Sequence, residues 1–293
     1  FEEYTLTLTD GEQSVTLQHL LIGEVWLCAG QSNMVMPLNG FDYCPISDSN
    51  NVIADAPNHP GIRMVTIKPT VKLSPQEYAE GSWQQPTTEN APKFSAAAYH
   101  YALTLQRSLQ IPIGVITCAW GGSRVEGWLP KEILQTYKDE DLTLIGSDKT
   151  PVYLQSMLMY NGILYPCHKY TIKGFIWYQG ESNVRSSRTY AERLATMVKH
   201  WRSIWKQGDL PFYYVETVPF ACEYKEDGYI GALLREAQQK ALSLIPNSGM
   251  IGTNDLVETY EAPQVHPHNK KGIGERLAYT VSYTHLTLPT KRI

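Results

Sequence analysis

The sequence has no apolar run close to the roughly 20 residues that a membrane-spanning helix needs. It also lacks an excess of positive charge, because 25 Lys and Arg stand against 29 Asp and Glu, for a net charge of −4. A basic stripe for nucleic acid and a polybasic patch for anionic membranes are therefore not expected. What remains is an ordinary globular composition, in a chain of 293 residues that is long enough for one large domain.

The cysteines include no CxxC pair, which argues against a zinc site. They are Cys28, Cys44, Cys118, Cys167 and Cys222. Their odd number argues against a framework in which every cysteine forms a disulfide. Cys28 and Cys118 lie within apolar runs, where a small buried thiol is the expected role.

The two ends of the sequence differ from its middle. The alternation over Tyr4–Thr9, followed by Asp10 and Gly11, predicts a hairpin that ends a preceding β-rich region, residues 1–20. Val281–Ile293 resembles one reading frame of a transposon-based sequencing adapter, and is predicted to be a non-native tail. The domain between them spans residues 21–280.

Strand and helix patterns alternate through that domain. Apolar runs suited to buried strands lie at Glu24–Ala29, Ile62–Ile67, Ile113–Ala119, Gly174–Tyr178, Pro211–Val218 and Met250–Thr253. Three-four spacing predicts helices over Phe94–Leu109, Tyr190–Trp205 and Leu233–Leu244. Because several runs lack alternation, we expect a three-layer α/β fold with a doubly wound, mainly parallel sheet. Asn39–Pro60 is predicted to be a long loop after the first strand, and Lys138–Pro151 is predicted to be an exposed connector.

The first chemical motif is Gly30–Met34 (Gly-Gln-Ser-Asn-Met), directly after a predicted strand. Ligands of open α/β sheets bind at the carboxyl ends of strands, where a serine on a tight turn can present its hydroxyl. A nucleophile beside N–H donors is what acyl transfer needs. A serine at such a position is also a common helix cap, so this motif alone does not decide the function.

Three more motifs follow later in the chain, and each is weak by itself. Gly121–Arg124 is typical of a plain turn, and Trp177–Asn183 is typical of a βα turn that ends in an asparagine cap. Gln264–Lys270 contains a His-x-His pair, a pattern that can bind a metal ion. No carboxylate or cysteine cluster accompanies that pair, so neither a metal nor a cofactor is predicted.

Taken together and in order, these motifs resemble the sequence blocks of SGNH hydrolases. The residues of these motifs are most similar to those of the sialate O-acetylesterase family, at Gly23–Met34, Gly121–Trp128, Trp177–Asn183, His266-Pro267 and Gly274–Ala278. The resemblance spans roughly Thr5 to Thr280. It implies a flavodoxin-like hydrolase domain that acts on acetylated sugars such as O-acetyl sialic acids, and a secreted, periplasmic or cell-surface location.

The resemblance also implies the roles of individual residues. Carried over position by position, it makes Ser32 the nucleophile and His266 the general base. The oxyanion hole would consist of the N–H groups of Ser32 and Gly122 and the side-chain amide of Asn183.

The acid member of a catalytic triad is the point where the sequence departs from the pattern. Many SGNH enzymes place an aspartate two or three residues before the histidine, whereas here Pro263 and Gln264 occupy those positions. The nearest upstream carboxylate is Glu261. Either Gln264 or a backbone carbonyl orients the ring in a Ser–His dyad, which we favour, or Glu261 reaches His266.

The substrate is a glycan or a small molecule, with Gln31, Gln179 and Glu181 as candidates for binding it. An acetyl xylan esterase, a broad acetylesterase and a non-catalytic glycan-binding protein remain alternatives. A glycosidase that uses Glu181 and Glu261 is poorly supported, because it leaves Ser32 without a role. The loops expected to line the pocket are Asn39–Pro60, Ser82–Pro92 and Ala221–Tyr229. The sequence does not indicate an oligomeric state.

Overall fold

The computed structural model of the protein describes residues 1–220, 229–261 and 263–287. The strands are β1 (Tyr4–Thr9), β2 (Ser14–Leu20), β3 (Glu24–Gly30), β4 (Ile62–Thr66), β5 (Ile113–Ala119), β6 (Gly174–Tyr178), β7 (Phe212–Val215) and β8 (Ser248–Ile251). The α-helices are α1 (Ser32–Val35), α2 (Ser49–Asp55), α3 (Ala96–Leu109), α4 (Lys131–Leu134), α5 (Ser187–Trp205), α6 (Ile230–Leu244) and α7 (Lys270–Thr287).

Strands β3 to β8 form one parallel sheet in the order β4-β5-β3-β6-β7-β8. Each of the predicted strands overlaps one of these, although β7 is shorter than Pro211–Val218 and β8 begins two residues before Met250–Thr253. The predicted mainly parallel α/β sheet is therefore confirmed.

Both faces of the sheet are covered, because successive side chains of a strand point to opposite sides. Trp26 and Cys28 of β3 belong to a core that includes residues of α3 and α7. Leu27, between them, belongs to a core that includes residues of α5 and α6. This arrangement confirms the three layers. It also confirms that Cys28 and Cys118 are buried thiols, both of which are free.

The predicted loop Asn39–Pro60 is wrong in part, because α2 lies inside it. Its Ser, Asn and Asp residues favour turns over helix interiors. Val52 and Ile53 nevertheless pack against the core on the α3 side, and tertiary packing overrides a weak local preference. Lys138–Pro151 is mostly irregular, as predicted, apart from a short 3₁₀ turn at Leu142–Leu144.

The hairpin at the start of the chain forms as predicted, with β1 and β2 paired antiparallel in a separate sheet. In its turn, the Asp10 carboxylate accepts the N–H groups of Glu12 and Gln13. That this hairpin belongs to a preceding β-rich region stays a prediction. None of the described helices is long and apolar enough to cross a membrane.

At the other end, α7 continues past the predicted domain limit at residue 280. Val281 is fully buried in the core on the α3 side, so the first residues of the predicted tail pack with the domain. The non-native origin of that segment stays a prediction. Residues 288–293 of the tail, Cys222 and most of the predicted pocket loop Ala221–Tyr229 lie outside the described residues.

Candidate active site

The sheet order brings the three central motifs together, because β5, β3 and β6 are neighbours and their carboxyl ends meet at one edge. At the end of β3, Gly30 has a φ of +145°, and a Cβ atom added to it would lie 2.1 Å from the carbonyl oxygen of Tyr178. Only glycine allows this approach. The next residue, Gln31, donates its backbone N–H to the same oxygen at 3.0 Å, which joins the serine turn to β6.

Ser32 is half-buried and begins the short helix α1. A Cβ atom added at Gly121, in the turn after β5, would lie 3.7 Å from the Cβ atom of Ser32, so the two turns face each other. The turn after β6 joins them, because the hydroxyl of Ser182 donates to the carbonyl of Gly122 at 2.8 Å.

The backbone N–H groups of Ser32 and Gly122 have no hydrogen-bond acceptor among the described residues. Gly122 has a left-handed φ of +74°, which turns the chain here. Two unbonded N–H groups beside a serine hydroxyl can donate hydrogen bonds to a developing oxyanion.

His266 is nine-tenths buried, and its ring lies edge-on to Phe41 with 5.2 Å between the ring centroids. Burial, helped by the positive charge of Lys270, lowers the pKa of His266 to about 4. The ring is therefore neutral at neutral pH, which is the form that a general base requires.

Neither ring nitrogen of His266 has a hydrogen-bond partner in the described part of the chain, so the ring makes no hydrogen bond to Ser32. The two residues predicted to orient the ring make no hydrogen bond to it in the described structure. The Glu261 carboxylate accepts the N–H groups of Glu258 at 2.8 Å and His268 at 2.7 Å. Gln264 donates its backbone N–H to the carbonyl of Glu261. Within the described ranges, no side-chain hydrogen bond from Glu261 or Gln264 reaches His266.

Asn33 and Lys270 lie inside the sequence motifs, but no role was predicted for either of them. Asn33 is fully buried, and its amide nitrogen donates to Glu181 Oε1 at 2.7 Å and to the carbonyl of Val265 at 2.9 Å. Its amide oxygen accepts Lys270 Nζ at 2.6 Å. Asn33 therefore joins the serine turn, the turn after β6 and the loop that carries His266.

Two opposite charges are buried with Asn33. Burial lowers the pKa of Lys270 to about 7, against an opposing effect of Glu181. Burial raises the pKa of Glu181, against the hydrogen bond from Asn33 and the charge of Lys270. Glu181 was predicted to bind substrate, but Oε1 is already bonded to Asn33, and Oε2 has no partner among the described atoms.

Asn183, the third predicted oxyanion donor, has both amide hydrogens committed. They go to Glu126 Oε2 at 3.0 Å and to the hydroxyl of Ser186 at 3.1 Å. The amide oxygen accepts the backbone N–H of Val125 at 2.9 Å and Gln179 Nε2 at 2.8 Å. In this conformation the amide has no hydrogen left for a substrate.

Of the remaining predicted substrate-binding residues, Gln179 is fully buried and accepts the hydroxyl of Tyr190 at 2.9 Å, so it supports the interior. Gln31 lies at the site, where its side-chain oxygen accepts the N–H groups of Gly180 and Ser182, both at 3.3 Å. Its amide nitrogen has no acceptor among the described residues.

Exposed aromatic rings lie beside this site. The ring of Tyr153 covers Gly122, since a Cβ atom added there would lie 2.7 Å from Tyr153 Cδ2. On the histidine side, Tyr43 stacks on Phe41 with 5.7 Å between centroids and is two-thirds exposed. Such rings suit the apolar faces of a sugar.

A cavity of about 550 Å³ lies at the opposite edge of the sheet, lined by the first residues of β3, β4 and β5 and by Trp83. None of the residues predicted for catalysis or substrate binding lines it, whereas Trp83 and Gln85 of the predicted pocket loop Ser82–Pro92 do. The chemical motifs therefore locate the candidate site, and cavity size does not. Across residues 1–220, 229–261 and 263–287, no group of three or more His, Cys, Asp or Glu side chains is placed to hold a metal ion.

One known family matches most of the chain. A family model described as carbohydrate esterase, sialic acid-specific acetylesterase, matches residues 22–282. The chain belongs to this family. It is 25% identical over 288 residues to the sialate O-acetylesterase of Pongo abelii, an alignment that covers 90% of this chain and 54% of that protein. The chain thus spans about half the length of the curated relatives it matches.

Solved structures agree with this assignment. A carbohydrate acetylesterase from Xanthomonas citri is 31% identical, with a TM-score of 0.83 over 96% of this chain and 60% of that one. A protein from Arabidopsis thaliana, 19% identical, has a TM-score of 0.57 over 90% of this chain and 98% of that one, and supports the fold alone.

Proposed function

We propose that this chain is the catalytic domain of a carbohydrate O-acetylesterase, and that O-acetyl sialic acid is its first candidate substrate. Membership of the carbohydrate esterase family supports the chemistry. The observation that carries the proposal is the serine turn itself. There Ser32 faces Gly121, two N–H groups are unbonded, and a buried, neutral His266 stands in the loop tied to Asn33.

The mechanism follows from these groups. Ser32 Oγ attacks the acetyl carbonyl carbon while His266 takes its proton, and the N–H groups of Ser32 and Gly122 donate to the oxyanion. The bond from the acetyl carbon to the sugar oxygen breaks, and His266 returns the proton to that oxygen. A water activated by His266 then releases acetate from the acetyl-enzyme. Asn183 joins the oxyanion hole only if its amide leaves Glu126 or Ser186.

The choice of sugar rests on the relatives, whose names include sialate O-acetylesterase. Tyr43 and Tyr153 suit a sugar ring of either type, so acetyl xylan remains an alternative substrate. A non-catalytic glycan-binding role is the second candidate function, because neither ring nitrogen of His266 is hydrogen-bonded to Ser32 or to an orienting group. A secreted, periplasmic or cell-surface location belongs to this proposal, because acetylated glycans are found there.

The test is acetate release by the purified chain from O-acetyl sialic acid, acetylated xylan and 4-nitrophenyl acetate. We expect the first substrate to give the highest kcat/KM, and a covalent acetyl group on Ser32 to be detectable by mass spectrometry after rapid acid quenching. Glycan binding without acetate release would favour the non-catalytic candidate. A highest kcat/KM on xylan would change the substrate and leave the chemistry in place.

A further inference from the structure

His266 needs a fixed position relative to Ser32, yet no described carboxylate contacts its ring. Its main chain is held instead. The carbonyl just before it, that of Val265, accepts the amide of Asn33 at 2.9 Å. The carbonyl of His266 itself accepts the thiol of Cys44 at 3.0 Å. The first of these bonds comes from the residue that directly follows Ser32, so it links the two candidate catalytic residues through one side chain.

The orientation of the Asn33 amide is fixed by its charged neighbours. Protonated Lys270 has only donor hydrogens, so the amide oxygen faces it. The amide nitrogen then faces Glu181 and the carbonyl of Val265, which are both acceptors. A flipped amide would set donor against donor on one side and acceptor against acceptor on the other. Since all three side chains are buried, water cannot relieve such a mismatch.

We propose that Lys270 and Glu181 lock Asn33, and that Asn33 in turn positions His266 over Ser32 through the backbone of Val265. This network fixes the position of the histidine, which is one role of a triad carboxylate, but it does so through the main chain and does not stabilise the imidazolium. Asn33, Lys270 and Glu181 are positioning residues. The inference rests on the proposed function, because it assigns the same site.

Lys270 also acts on His266 through its charge. Phe41 and Tyr43 pack against the ring of His266, and Cys44 donates its thiol to the His266 carbonyl. The carboxylates of Glu181 and Glu261 bond elsewhere, to Asn33 and to the N–H groups of Glu258 and His268. The positive charge of Lys270, in α7, lowers the pKa of His266. Lys270 is protonated at the pH where His266 titrates. Removing its charge therefore raises the pKa of His266. Solvation of the ring in a loosened structure would raise it as well, so the shift counts only in variants that stay folded.

The experiment compares Lys270→Met with Lys271→Met in the purified chain, using 4-nitrophenyl acetate. Lys271 is the adjacent, exposed lysine. We expect Lys270→Met to lower kcat by about 10- to 100-fold with KM within twofold, because a misplaced base costs rate and not binding. We also expect the acid limb of kcat/KM to move to higher pH. Lys271→Met should change neither.

Two further variants guard against misfolding, because Lys270→Met leaves Glu181 without its countercharge. The double variant Lys270→Met/Glu181→Gln removes both charges and should show the same loss of kcat and the same shifted limb. Asn33→Asp keeps the oxygen that Lys270 binds but loses the donor to Val265, and should lower kcat by about 10-fold or more. Near wild-type kcat in the folded variants, a loss confined to KM or an unmoved acid limb would overturn the inference.

A different result, no acetate release by the wild-type chain, would overturn the proposed function but not by itself the positioning inference. The positional inference keeps its own readout in that case, because NMR titration of the His266 ring needs no turnover. Lys270→Met should raise the ring pKa in that titration, and an unchanged ring pKa would overturn the coupling between the two residues. Wild-type activity that survives in every network variant would instead refute the inference and leave the esterase intact.

Discussion

The side-chain amide of Asn183 donates a hydrogen bond of 3.0 Å to the carboxylate of Glu126, which is fully buried. That carboxylate also binds Arg193, an equally inaccessible residue of α5. Asn183 thus belongs to an interior polar network that connects the turn after β6 to the helical layer behind it. An oxyanion donor needs a hydrogen that the protein leaves unused, and this geometry leaves none.

We therefore expect Asn183→Ala to act on stability first. It removes the partner of Glu126 and of the Val125 N–H, so the free energy of unfolding should fall by about 2 kcal/mol or more, because unsatisfied buried groups cost about 1–3 kcal/mol each. The kcat of the folded fraction should fall less than about tenfold. Urea unfolding and steady-state kinetics measure the two effects, with Asn50→Ala, at an exposed position of α2, as the control. Unchanged stability together with a kcat lowered about 10²-fold would instead support Asn183 as a donor of the oxyanion hole.

The nucleophile prediction is simpler. Ser32→Ala should reduce kcat to less than about a hundredth of wild type, because the substitution removes the sole nucleophile proposed for the site. The melting temperature should hardly change, since Ser32 is only half-buried and no described group accepts or donates at its hydroxyl. Ser47→Ala, at an exposed serine, is the matched control. Higher residual activity would mean that another group attacks the ester.

The fold was predictable where local composition decides it. Continuous apolar runs marked β3, β5 and β6 closely, because strands buried on both faces tolerate few polar residues. Helix α2 was missed because its polar residues are typical of loops, and its packing partners lie in other parts of the chain. Val281 was assigned to a non-native tail on resemblance, yet α7 continues through it and buries it.

The site was predictable at the level of motifs and not of hydrogen bonds. The sequence shows that Asn183 is able to donate, but its acceptor Glu126 is 57 positions away. Asn33 and Lys270 are 237 positions apart, and only the assembled sheet and α7 bring them together. The roles of Ser32 and His266 stay predictions until activity is measured.

Glu261 offers a direct test of the dyad. Its carboxylate accepts two backbone N–H groups, those of Glu258 and His268, and no bond from it to His266 is present in the described structure. Glu261→Gln should therefore leave kcat/KM within about threefold of wild type. The melting temperature should fall, because an amide NH₂ would face one of those N–H donors.

His266→Ala is the companion variant and should be nearly inactive. Thermal melts of both proteins separate stability from turnover. A loss of kcat/KM of about 10³-fold or more in folded Glu261→Gln would mean that the carboxylate swings to the imidazole during the reaction, which would restore a full triad.

The pH dependence of activity reports on His266 itself. Burial, and then the charge of Lys270, lowers the pKa of this histidine to about 4 from its ordinary value of 6.5. The base therefore stays neutral well below pH 6, and the acid limb of kcat/KM should lie near pH 4 instead of near pH 6.5.

The lowered pKa of His266 also makes the stability of the fold depend on pH. Between these two values the unfolded chain binds the proton and the folded chain does not, so the free energy of unfolding should fall as the pH falls from about 6.5 to about 4. His100, another buried histidine whose pKa burial lowers to about 4, contributes to that loss of stability but not to catalysis. His100→Gln should accordingly flatten the stability curve and leave the acid limb where it was, whereas a limb near pH 6.5 in the wild type would show that His266 becomes solvated when the enzyme turns over.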